Sequence, residues 1–428
     1  MEIKQVLKEQ LLKISPSKEE LGVLSDKAKE ILNILKTNIR KSKTSAEVFV
    51  GGSFAKKTII KKDDYDIDIF IRFNKKYDEK QIAKHLVKIV PKNAEKLHGS
   101  RDYYRIKSED IAGISVEFEI IPVVAVKKPE LARNITDLSY FHVNYVTNKI
   151  KKNPKLKDEI KIAKAFIHYS GCYGAESYIN GFSGYAVELL VINYGSFLNF
   201  IKAVLASKLD ERKKEKIILD PGKKFKNKNE IMKELNESKL FSPIILVDQT
   251  YKQRNALAAL SYETFYKFRE YCAKFLKHPS SDFFIEKDIE ANFLKKNNNK
   301  ASSIIITTKK QAGDIAGTKL KKFYGFFLAE LKRFFEVRDS EFIYDDKNNI
   351  GKILLVFEQK KEIVFSGPPI KMKEPLACFK KEHKKIKIIK GKAYAYEKSI
   401  DFNEFLNNFM NQKRKIIEEM DVEEIKVS

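Results

Sequence analysis

Alternating apolar and charged positions predict two β-strands in the first third of the chain. Residues 66–73 read DIDIFIRF, so the isoleucines share one face of the strand while Asp66 and Asp68 share the other. A second run at residues 114–124 alternates in the same way, with Glu119 on its polar face. The pattern therefore predicts two strands that each have an apolar face and a face that offers acidic groups.

Helical periodicity dominates two longer stretches. Residues 6–41 are predicted to be helical, with a break at Ser15-Pro16 and a capping box that begins at Ser17. Residues 156–204 are helical and strongly apolar, and within them residues 185–206 are the most membrane-like part of the chain. Because a lipid-spanning helix would have to bury several polar groups, we predict a buried core helix or helix pair there. The interrupting side chains are Glu188, Asn193, Asn199 and Lys202.

A glycine turn lies between the N-terminal helix and the DIDI strand. Residues 47–50 form a short β-prone run that stops at Gly51-Gly52-Ser53, and residues 54–60 are predicted to begin a helix immediately afterwards. The twelve residues between Ser53 and Asp66 suffice for one helix and a return to the strand. The predicted order is strand, glycine turn, helix and acidic strand.

The second half of the chain is predicted to be mixed. Residues 208–233 are basic and mostly polar, which indicates a surface excursion that could also touch a phosphate backbone, and the chain returns at 244–248. Residues 255–276 are helix-like. Beyond Pro279, alternating segments predict a small α+β module: strands at 302–308, 353–358 and 386–396, an amphipathic stretch at 320–337 and an amphipathic closing segment at 402–420.

Length and composition indicate a folded protein with more than one core. A chain of 428 residues suggests about three packed units, and 30 Phe, 19 Tyr and a hydrophobic fraction of 43% are typical of globular proteins. The cysteines lie too far apart for redox or metal-ligand spacing, and the six histidines show no zinc spacing. The first residues lack a signal-peptide pattern, so we predict a cytoplasmic protein without a membrane partner. The cysteines are Cys172, Cys272 and Cys378.

An excess of basic residues favours a polyanionic partner. Lys and Arg number 83 against 58 Asp and Glu, a net charge of +25, and neutralising phosphates with such residues releases counterions. Nucleic acid is the leading candidate. A lysine-rich solvated surface would give the same excess, so the charge needs support from a site.

The acidic strands suit a chemistry in which carboxylates hold divalent cations. Transfer of a nucleotide to a hydroxyl requires an activated nucleophile and neutralisation of a triphosphate, and two metal ions accomplish both. Asp66 and Asp68 project from one strand face about 7 Å apart at Cα, so they can share an ion. Gly52 and Ser53 can approach a phosphate closely. Each piece alone has a plainer interpretation, a solvated sheet face or a simple turn, and only their order along the chain favours the site.

That order resembles the DNA polymerase β nucleotidyltransferase superfamily. Within it, the chain resembles the class I, archaeal-type CCA-adding tRNA nucleotidyltransferases, and the resemblance covers most of its length. The matching blocks beyond the catalytic strands are Lys164-Ala-Phe, Tyr173-Gly-Ala-Glu176, Gly181-Phe-Ser-Gly-Tyr185, Glu188-Leu-Leu, Val247-Asp248, Arg254-Asn255, 258–261 and Ser366-Gly-Pro-Pro369.

The resemblance implies a multidomain α+β fold. A polymerase-β-like nucleotidyltransferase head with a mixed sheet and helices is expected at residues 1–150. A helical central domain, or neck, is expected at 151–260, and an α+β body and tail that binds tRNA at 261–428.

The resemblance also implies roles for individual residues. Asp66, Asp68 and Glu119 would be the catalytic carboxylates and metal ligands. The nucleotide-binding residues would be Gly52, Ser53, Lys164 and Tyr173 at the triphosphate, Arg254 at the base and His142 at the nucleotide pocket, with Asp248 supporting Arg254. The chain departs from the family at Glu119, where the family usually has Asp, and Glu117 lies on the same face. Carboxylate oxygens of either residue type suit Mg²⁺.

The expected activity is addition of C, C and A to the tRNA 3′ end from CTP and ATP, without a nucleic-acid template. Two Mg²⁺ ions are the expected cofactors, and the acceptor end of tRNA is the expected partner. The oligomeric state stays open, a homodimer included. Two alternatives remain: a poly(A) polymerase or oligoadenylate synthetase relative that shares the catalytic strands, and an RNA-binding protein whose catalytic site has decayed.

Overall fold

The structure is a computed structural model that describes residues 2–99, 101–111, 113–209, 215–298, 300–308 and 313–427. The chain forms two compact units, Met1–Ala175 with Ile179–Glu286 and Glu176–Tyr178 with Lys287–Ser428. Each unit combines helices with sheets, so the predicted α+β fold class is confirmed.

The first unit contains ten α-helices and seven strands among its described residues. The helices are α1 (Ile3–Ile14), α2 (Lys18–Lys41), α3 (Gly52–Ala55), α4 (Glu79–Ile89), α5 (Ser139–Lys152), α6 (Leu156–Tyr169), α7 (Gly184–Tyr194), α8 (Phe197–Ala206), α9 (Lys228–Glu234) and α10 (Tyr262–Lys277). The strands are β1 (Ala46–Val50), β2 (Asp64–Phe73), β3 (Glu95–Leu97), β4 (Tyr103–Ile111), β5 (Ile114–Val124), β6 (Ile217–Leu219) and β7 (Ile244–Leu246).

A five-stranded mixed sheet organises the N-terminal part of this unit. Its strand order is β1-β2-β5-β4-β3, with β2 and β5 parallel and the other neighbours antiparallel. The isoleucines of β2 and the apolar side chains of β5 are buried, while the acidic residues occupy the opposite face, as the alternation predicted. Side chains from α2 and α4 complete this first core.

The helix after the glycine turn is shorter than predicted. It covers only Gly52–Ala55 instead of residues 54–60. Lys57 has a φ of 59°, in the left-handed region, which ends the helix after one turn. Lys56 and Thr58 are then buried against Glu188. Polar contacts with a distant residue therefore replaced the helix that local pattern suggested.

A second core in the first unit is built from helices. Side chains of α1, α6, α7, α8 and α10 share one apolar cluster that is rich in phenylalanine. No single helix among the described residues is long and apolar enough to cross a membrane. The pair formed by α7 and α8 has the length and composition but bends by 91°, and its apolar side chains are largely buried in this core. The predicted buried helix pair is confirmed.

Two further predictions for the first unit need correction. The helix expected at 255–276 begins only at Tyr262, because the Asn255 side chain holds a turn by accepting from Leu246 N and Leu257 N, and Ser261 caps the helix. The stretch 208–233 lies partly outside the described residues, and its described part is not only a loop. It contains β6 and α9, and β6 pairs in parallel with β7.

The second unit contains two antiparallel sheets. Its helices are α11 (Ile289–Lys296), α12 (Gly313–Phe334), α13 (Lys373–Glu382), α14 (Phe402–Gln412) and α15 (Arg414–Glu419). Its strands are β8 (Ser302–Thr307), β9 (Phe335–Asp345), β10 (Ile350–Gln359), β11 (Glu362–Pro369), β12 (Ile386–Ile389), β13 (Lys392–Lys398) and β14 (Glu424–Val427). The sheets have the orders β14-β8-β10-β9 and β11-β13-β12, and α12 and α14 pack on the first.

Local pattern located most of these elements but not their ends. The strands predicted at 302–308 and 353–358 appear as β8 and β10. The single run predicted at 386–396 is two strands, because Lys390 and Gly391 adopt left-handed φ values of 47° and 77° and reverse the chain. Five elements of this unit were not predicted: α11, β9, β11, α13 and β14.

The predicted division into 1–150, 151–260 and 261–428 stays a prediction. The first unit holds two main cores, one around the mixed sheet and one among the helices. Helix α10, which begins beyond residue 260, contributes Phe265, Phe268 and Phe275 to the helical core. The first unit therefore extends along the sequence to Glu286, beyond residue 260.

Candidate active site

Four carboxylates lie on one face of the two central strands. The parallel register of β2 and β5 sets Asp66 opposite Glu117 and Asp68 opposite Glu119. Neighbouring strands lie about 4.8 Å apart, so these four residues begin from adjacent backbone positions. The sheet thus brings together the three carboxylates that the sequence singled out.

Burial, together with the crowding of negative charge, raises the pKa of two of these groups. Burial raises the pKa of Asp68, and Asp66 raises it further, although Lys56 and Lys164 act in the opposite direction. Burial raises the pKa of Glu119 to about 7, with additional contributions from Asp68 and Asp66. A divalent cation at this place would relieve the repulsion, since it favours the ionised form of all three.

Other ion pairs distinguish the roles of the four acidic residues. Arg105 and Lys107 contact Glu117 at 3.4 and 3.1 Å, so Glu117 has cationic partners on the neighbouring strand. Lys62 contacts Asp66 at 2.7 Å. Within the described part of the chain, no three His, Cys, Asp or Glu side chains are already arranged to hold a metal ion. The donor set fits divalent cations chemically, but its side chains must turn towards a common point first.

The glycine turn lies directly against Asp68. Gly51 N donates to the Asp68 carbonyl oxygen at 2.8 Å. Gly52 has a φ of 56°, and a Cβ at this position would lie only 1.6 Å from Asp68 Oδ2. Glycine is therefore required twice here, for its backbone conformation and for space. Ser53 follows Gly52 in α3.

Lys164 and Tyr173 meet at Gly184. Lys164 is buried on α6, and its Nζ donates to Glu188 Oε1 at 2.7 Å and to Thr58 Oγ1 at 3.0 Å. A Cβ at Gly184 would lie 2.6 Å from the Tyr173 hydroxyl and 4.0 Å from Lys164 Cε. The two residues therefore flank one glycine at the start of α7. Both remain candidates for the triphosphate, but Lys164 is already bound to a carboxylate.

Sequence reasoning missed Lys56 and Glu188 as part of this site. Lys56 Nζ donates to Glu188 Oε2 at 2.7 Å, so Glu188 accepts from two lysines at once. Burial alone would raise the pKa of Glu188, yet Lys164 and Lys56 outweigh it and lower that pKa to about 2. In the sequence, Glu188 is a polar interruption of an apolar helix and begins the matching block Glu188-Leu-Leu, without a role assigned to it. That interruption was the available signal, because a carboxylate in a buried helix needs a cationic partner.

A second cluster surrounds Asp248. Arg254 Nη1 donates to Asp248 Oδ2 at 2.8 Å, Tyr185 donates its hydroxyl to Oδ1 at 3.0 Å, and His142 Nε2 lies 3.2 Å from Oδ2. His142 also stacks on Tyr185, with ring centroids 3.9 Å apart. Burial lowers the pKa of His142, and Arg254 lowers it further. Asp248 acts in the opposite direction without outweighing them, so the neutral form of the ring is favoured. The expected support of Arg254 by Asp248 is thus present, and Tyr185 is an added member.

Lys56 connects the two clusters electrostatically. Its charge lowers the pKa of Asp68 in the first cluster and the pKa of His142 in the second. The candidate residues therefore lie within one region of the first unit. In this arrangement the Tyr185 ring and the Arg254 guanidinium could contact a base, and the neighbouring lysines could contact phosphates. The carboxylates could meanwhile hold cations.

Comparisons with known proteins match two segments of the chain to two families. Residues 158–285 match the family described as "tRNA nucleotidyltransferase, second domain". Residues 1–138 match the family described as "Second Messenger Oligonucleotide or Dinucleotide Synthetase domain". The CCA-adding enzyme of Methanocaldococcus jannaschii is 31% identical over 404 residues, which cover 92% of this chain and 87% of that enzyme. The chain belongs to the archaeal CCA-adding enzyme family.

Other relatives match over shorter segments. The CCA-adding enzyme of Nanoarchaeum equitans is 38% identical over 253 residues, 58% of this chain and 59% of the relative. That of Pyrococcus abyssi is 32% identical over 304 residues, 68% of this chain and 64% of the relative. The chain thus spans less than two thirds of these two relatives and most of the Methanocaldococcus enzyme.

Solved structures support the fold of this CCA-adding family member. A cytoplasmic RNA terminal U-transferase covers 67% of the chain with a TM-score of 0.50 at 14% identity, and 99% of that protein is matched. A structure of the Cid1 RNA terminal uridylyl transferase covers 67% of the chain and 98% of its own, with a TM-score of 0.51 at 13% identity. The predicted polymerase-β-like fold is therefore confirmed, and nucleotidyltransferases of this kind generally depend on divalent metals.

Proposed function

We propose that this chain adds C, C and A to the 3′ end of tRNA, using CTP and ATP and no nucleic-acid template. The observation that carries the proposal is the match to a CCA-adding enzyme across 92% of the chain. The acidic face of β2 and β5 supports it, because it supplies carboxylates where nucleotidyl transfer needs them. The same match does not favour a poly(A) polymerase, an oligoadenylate synthetase relative or a decayed RNA-binding protein.

Asp66, Asp68 and Glu119 are the proposed metal ligands and catalytic carboxylates. Two bound Mg²⁺ ions would neutralise the triphosphate and lower the pKa of the RNA 3′-hydroxyl. The 3′-oxygen forms a bond to the α-phosphorus while the bond from that phosphorus to the pyrophosphate oxygen breaks. Glu119 supplies the third carboxylate in place of the usual Asp, and its position opposite Asp68 supports this role.

The remaining candidates orient the nucleotide. Gly52 and Ser53 contact the triphosphate from the turn beside Asp68. Lys164 of α6 and Tyr173 contact it from their positions next to Gly184. Arg254 contacts the base and His142 belongs to the nucleotide pocket. The contact of both with Asp248 supports this assignment because it fixes them side by side. The chain's own contribution is therefore positioning and charge.

We further propose the three-domain use of the chain predicted from its sequence. The head, residues 1–150, carries the carboxylates. The neck, residues 151–260, completes the nucleotide pocket. The α+β part, residues 261–428, holds the acceptor stem mainly through contacts with the RNA backbone, because duplex RNA is recognised chiefly by its shape. A net charge of +25 supports an RNA partner. A cytoplasmic location stays a prediction.

An incorporation assay tests the proposal. The protein is incubated with tRNA that ends before, within or after the CCA sequence, and with CTP, ATP or both. We expect C, C and A to be added and synthesis then to stop. Asp68→Ala and Glu119→Gln should each lower kcat at least about 100-fold, because each removes a metal ligand, whereas Glu119→Asp should stay active.

Two results would contradict the proposal. Continued addition of A beyond the third nucleotide would indicate a poly(A) polymerase. Equal incorporation by the parent and Asp68→Ala would indicate that the carboxylates have no catalytic part. Circular dichroism of each variant provides the control for folding.

A further inference from the structure

A cleft outside the candidate active site lies where two parallel strands end. It has a volume of about 450 Å³. The turn after β6 contributes Gly222 and Lys224, and the turn after β7 contributes Gln249. Because β6 and β7 are parallel, the turns that follow them emerge at the same edge, which is where such strands commonly bind ligands. Tyr145 and Lys149 of α5 form another wall.

The cleft carries positive charge without a carboxylate. Lys149 and Lys224 line it and are exposed, and neither belongs to an ion pair among the described residues. No Asp or Glu is among its lining residues. It therefore favours a phosphate that comes without a metal ion. A nucleoside triphosphate with bound Mg²⁺ suits the acidic strands instead, whereas an RNA phosphodiester needs only the lysines.

The remaining lining groups suit a base. Tyr145 offers a half-buried ring, and Asn193 and Gln249 offer side-chain amides that can pair with a base edge. The Gln249 amide donates to the Val247 carbonyl oxygen at 2.9 Å, which fixes its orientation. A Cβ at position 222 would lie 2.2 Å from Gln249 Oε1, so glycine leaves room for that amide. The volume is within the range of pockets that hold small ligands.

The cleft also adjoins the second cluster of the candidate site. Gln249 follows Asp248 directly in the sequence, and Asp248 holds Arg254 and His142. The cleft therefore lies next to the residues proposed to hold the incoming nucleotide. A nucleotide within an RNA strand fits these features together: its phosphate suits the lysines, its base suits the ring and the amides, and the rest of the strand can reach the active site.

We propose that this cleft binds one nucleotide of the RNA substrate upstream of its reacting 3′ end, with the phosphate at Lys149 and Lys224 and the base against Tyr145. The proposal rests on the proposed function, because it assigns the cleft to the same RNA. It predicts a site that acts on RNA affinity and leaves the chemistry and the incoming nucleotide untouched.

The test compares two double variants with equal loss of charge. Lys149→Gln/Lys224→Gln removes the cleft lysines. Lys151→Gln/Lys226→Gln removes exposed lysines from the same helix and the same loop, outside the cleft. The measurements are the KM for tRNA lacking CCA, the KM for CTP, kcat, and the tRNA Kd by filter binding at several salt concentrations.

We expect the cleft variant to raise the KM and Kd for tRNA about tenfold above the control variant, with kcat and the KM for CTP within about twofold of the parent. The dependence of log Kd on log salt should become less steep by about 1 for each lysine. A rise in the KM for CTP would overturn the proposal in favour of a free-nucleotide site, and a tRNA affinity equal to that of the control would overturn it outright. If the parent adds no nucleotides but the cleft variant alone loses tRNA affinity, the proposed function fails and the RNA site stands.

Discussion

The contact of Glu188 with Lys56 and Lys164 shows how one buried residue links the active site to the helical core. Two lysines and one glutamate leave an excess positive charge away from water, and both lysines oppose the rise that burial causes in the pKa of Asp68. A change at Glu188 should alter both the stability of the unit and the environment of a proposed metal ligand.

Glu188→Gln should lower the free energy of unfolding by about 3 kcal/mol at pH 7. The pKa of Glu188 falls from 4.5 to about 2 on folding, which corresponds to roughly that energy, and breaking a buried ion pair costs a similar amount. The measurement is urea unfolding followed by circular dichroism. Glu270→Gln provides the control, since Glu270 pairs with Lys274 on an exposed surface and should change stability little.

The same variant has a defined pH dependence. Because the pKa of Glu188 is lower in the folded chain, its stabilisation is fully present above about pH 4.5 and is lost as the pH falls towards 2. The difference between parent and Glu188→Gln should therefore shrink across that window and stay constant from pH 5 to 8. A difference that grew on acidification would show that Glu188 is not held as an ionised group.

For individual residues, the sequence predicted which face of a strand a side chain occupies but not which distant residue it contacts. Strict alternation placed Asp66, Asp68 and Glu119 on the polar side of two strands, since side-chain direction depends only on local backbone geometry. The pairing of Glu188 with Lys56 joins residues 132 positions apart, which periodicity cannot reveal. The roles of Lys164, Tyr173, His142 and Arg254 came from the family resemblance and remain proposals.

At the scale of elements, a helix cap explains one prediction that succeeded, and a left-handed residue and a long-range turn explain two that failed. The restart of the N-terminal helix was predicted from its capping box, and Ser17 and Glu20 form both reciprocal bonds. The ends of α3 and α10 were missed, because Lys57 and Asn255 act through a backbone conformation and a long-range turn. Strand β6 was missed because three residues carry too little pattern, and its existence depends on pairing with β7.

The capping box gives the prediction at this scale. Ser17 Oγ accepts from Glu20 N at 3.0 Å and Glu20 Oε2 accepts from Ser17 N at 2.6 Å. Ser17→Ala should therefore lower the free energy of unfolding by about 1 kcal/mol, as loss of an N-cap usually does, while Ser17→Thr should retain most of it. Thermal and urea unfolding provide the measurement. Equal stability of Ser17→Ala and the parent would mean that packing alone fixes the start of α2.

At the scale of the whole molecule, the candidate site is confined to the first compact unit. All nine proposed site residues, from Gly52 to Arg254, belong to Met1–Ala175 or Ile179–Glu286. Length suggested about three packed units, whereas the structure divides into two, because the mixed sheet and the helical core share buried polar contacts such as the one at Glu188. Sequence composition could not reveal that connection.

This confinement predicts what a shortened chain can do. A chain that ends at Glu286, in an exposed segment between the units, keeps both cores of the first unit and every candidate site residue. It should bind CTP and ATP in the presence of Mg²⁺ within about fivefold of the full chain, since binding follows from local contacts. Its KM for tRNA should rise at least about 100-fold, because many phosphate contacts are removed together. Equilibrium nucleotide titration and the incorporation assay measure the two quantities on one preparation. If circular dichroism shows a folded fragment that binds no nucleotide, residues beyond 286 contribute to the pocket, and if tRNA use is unchanged, the second unit does not hold the RNA.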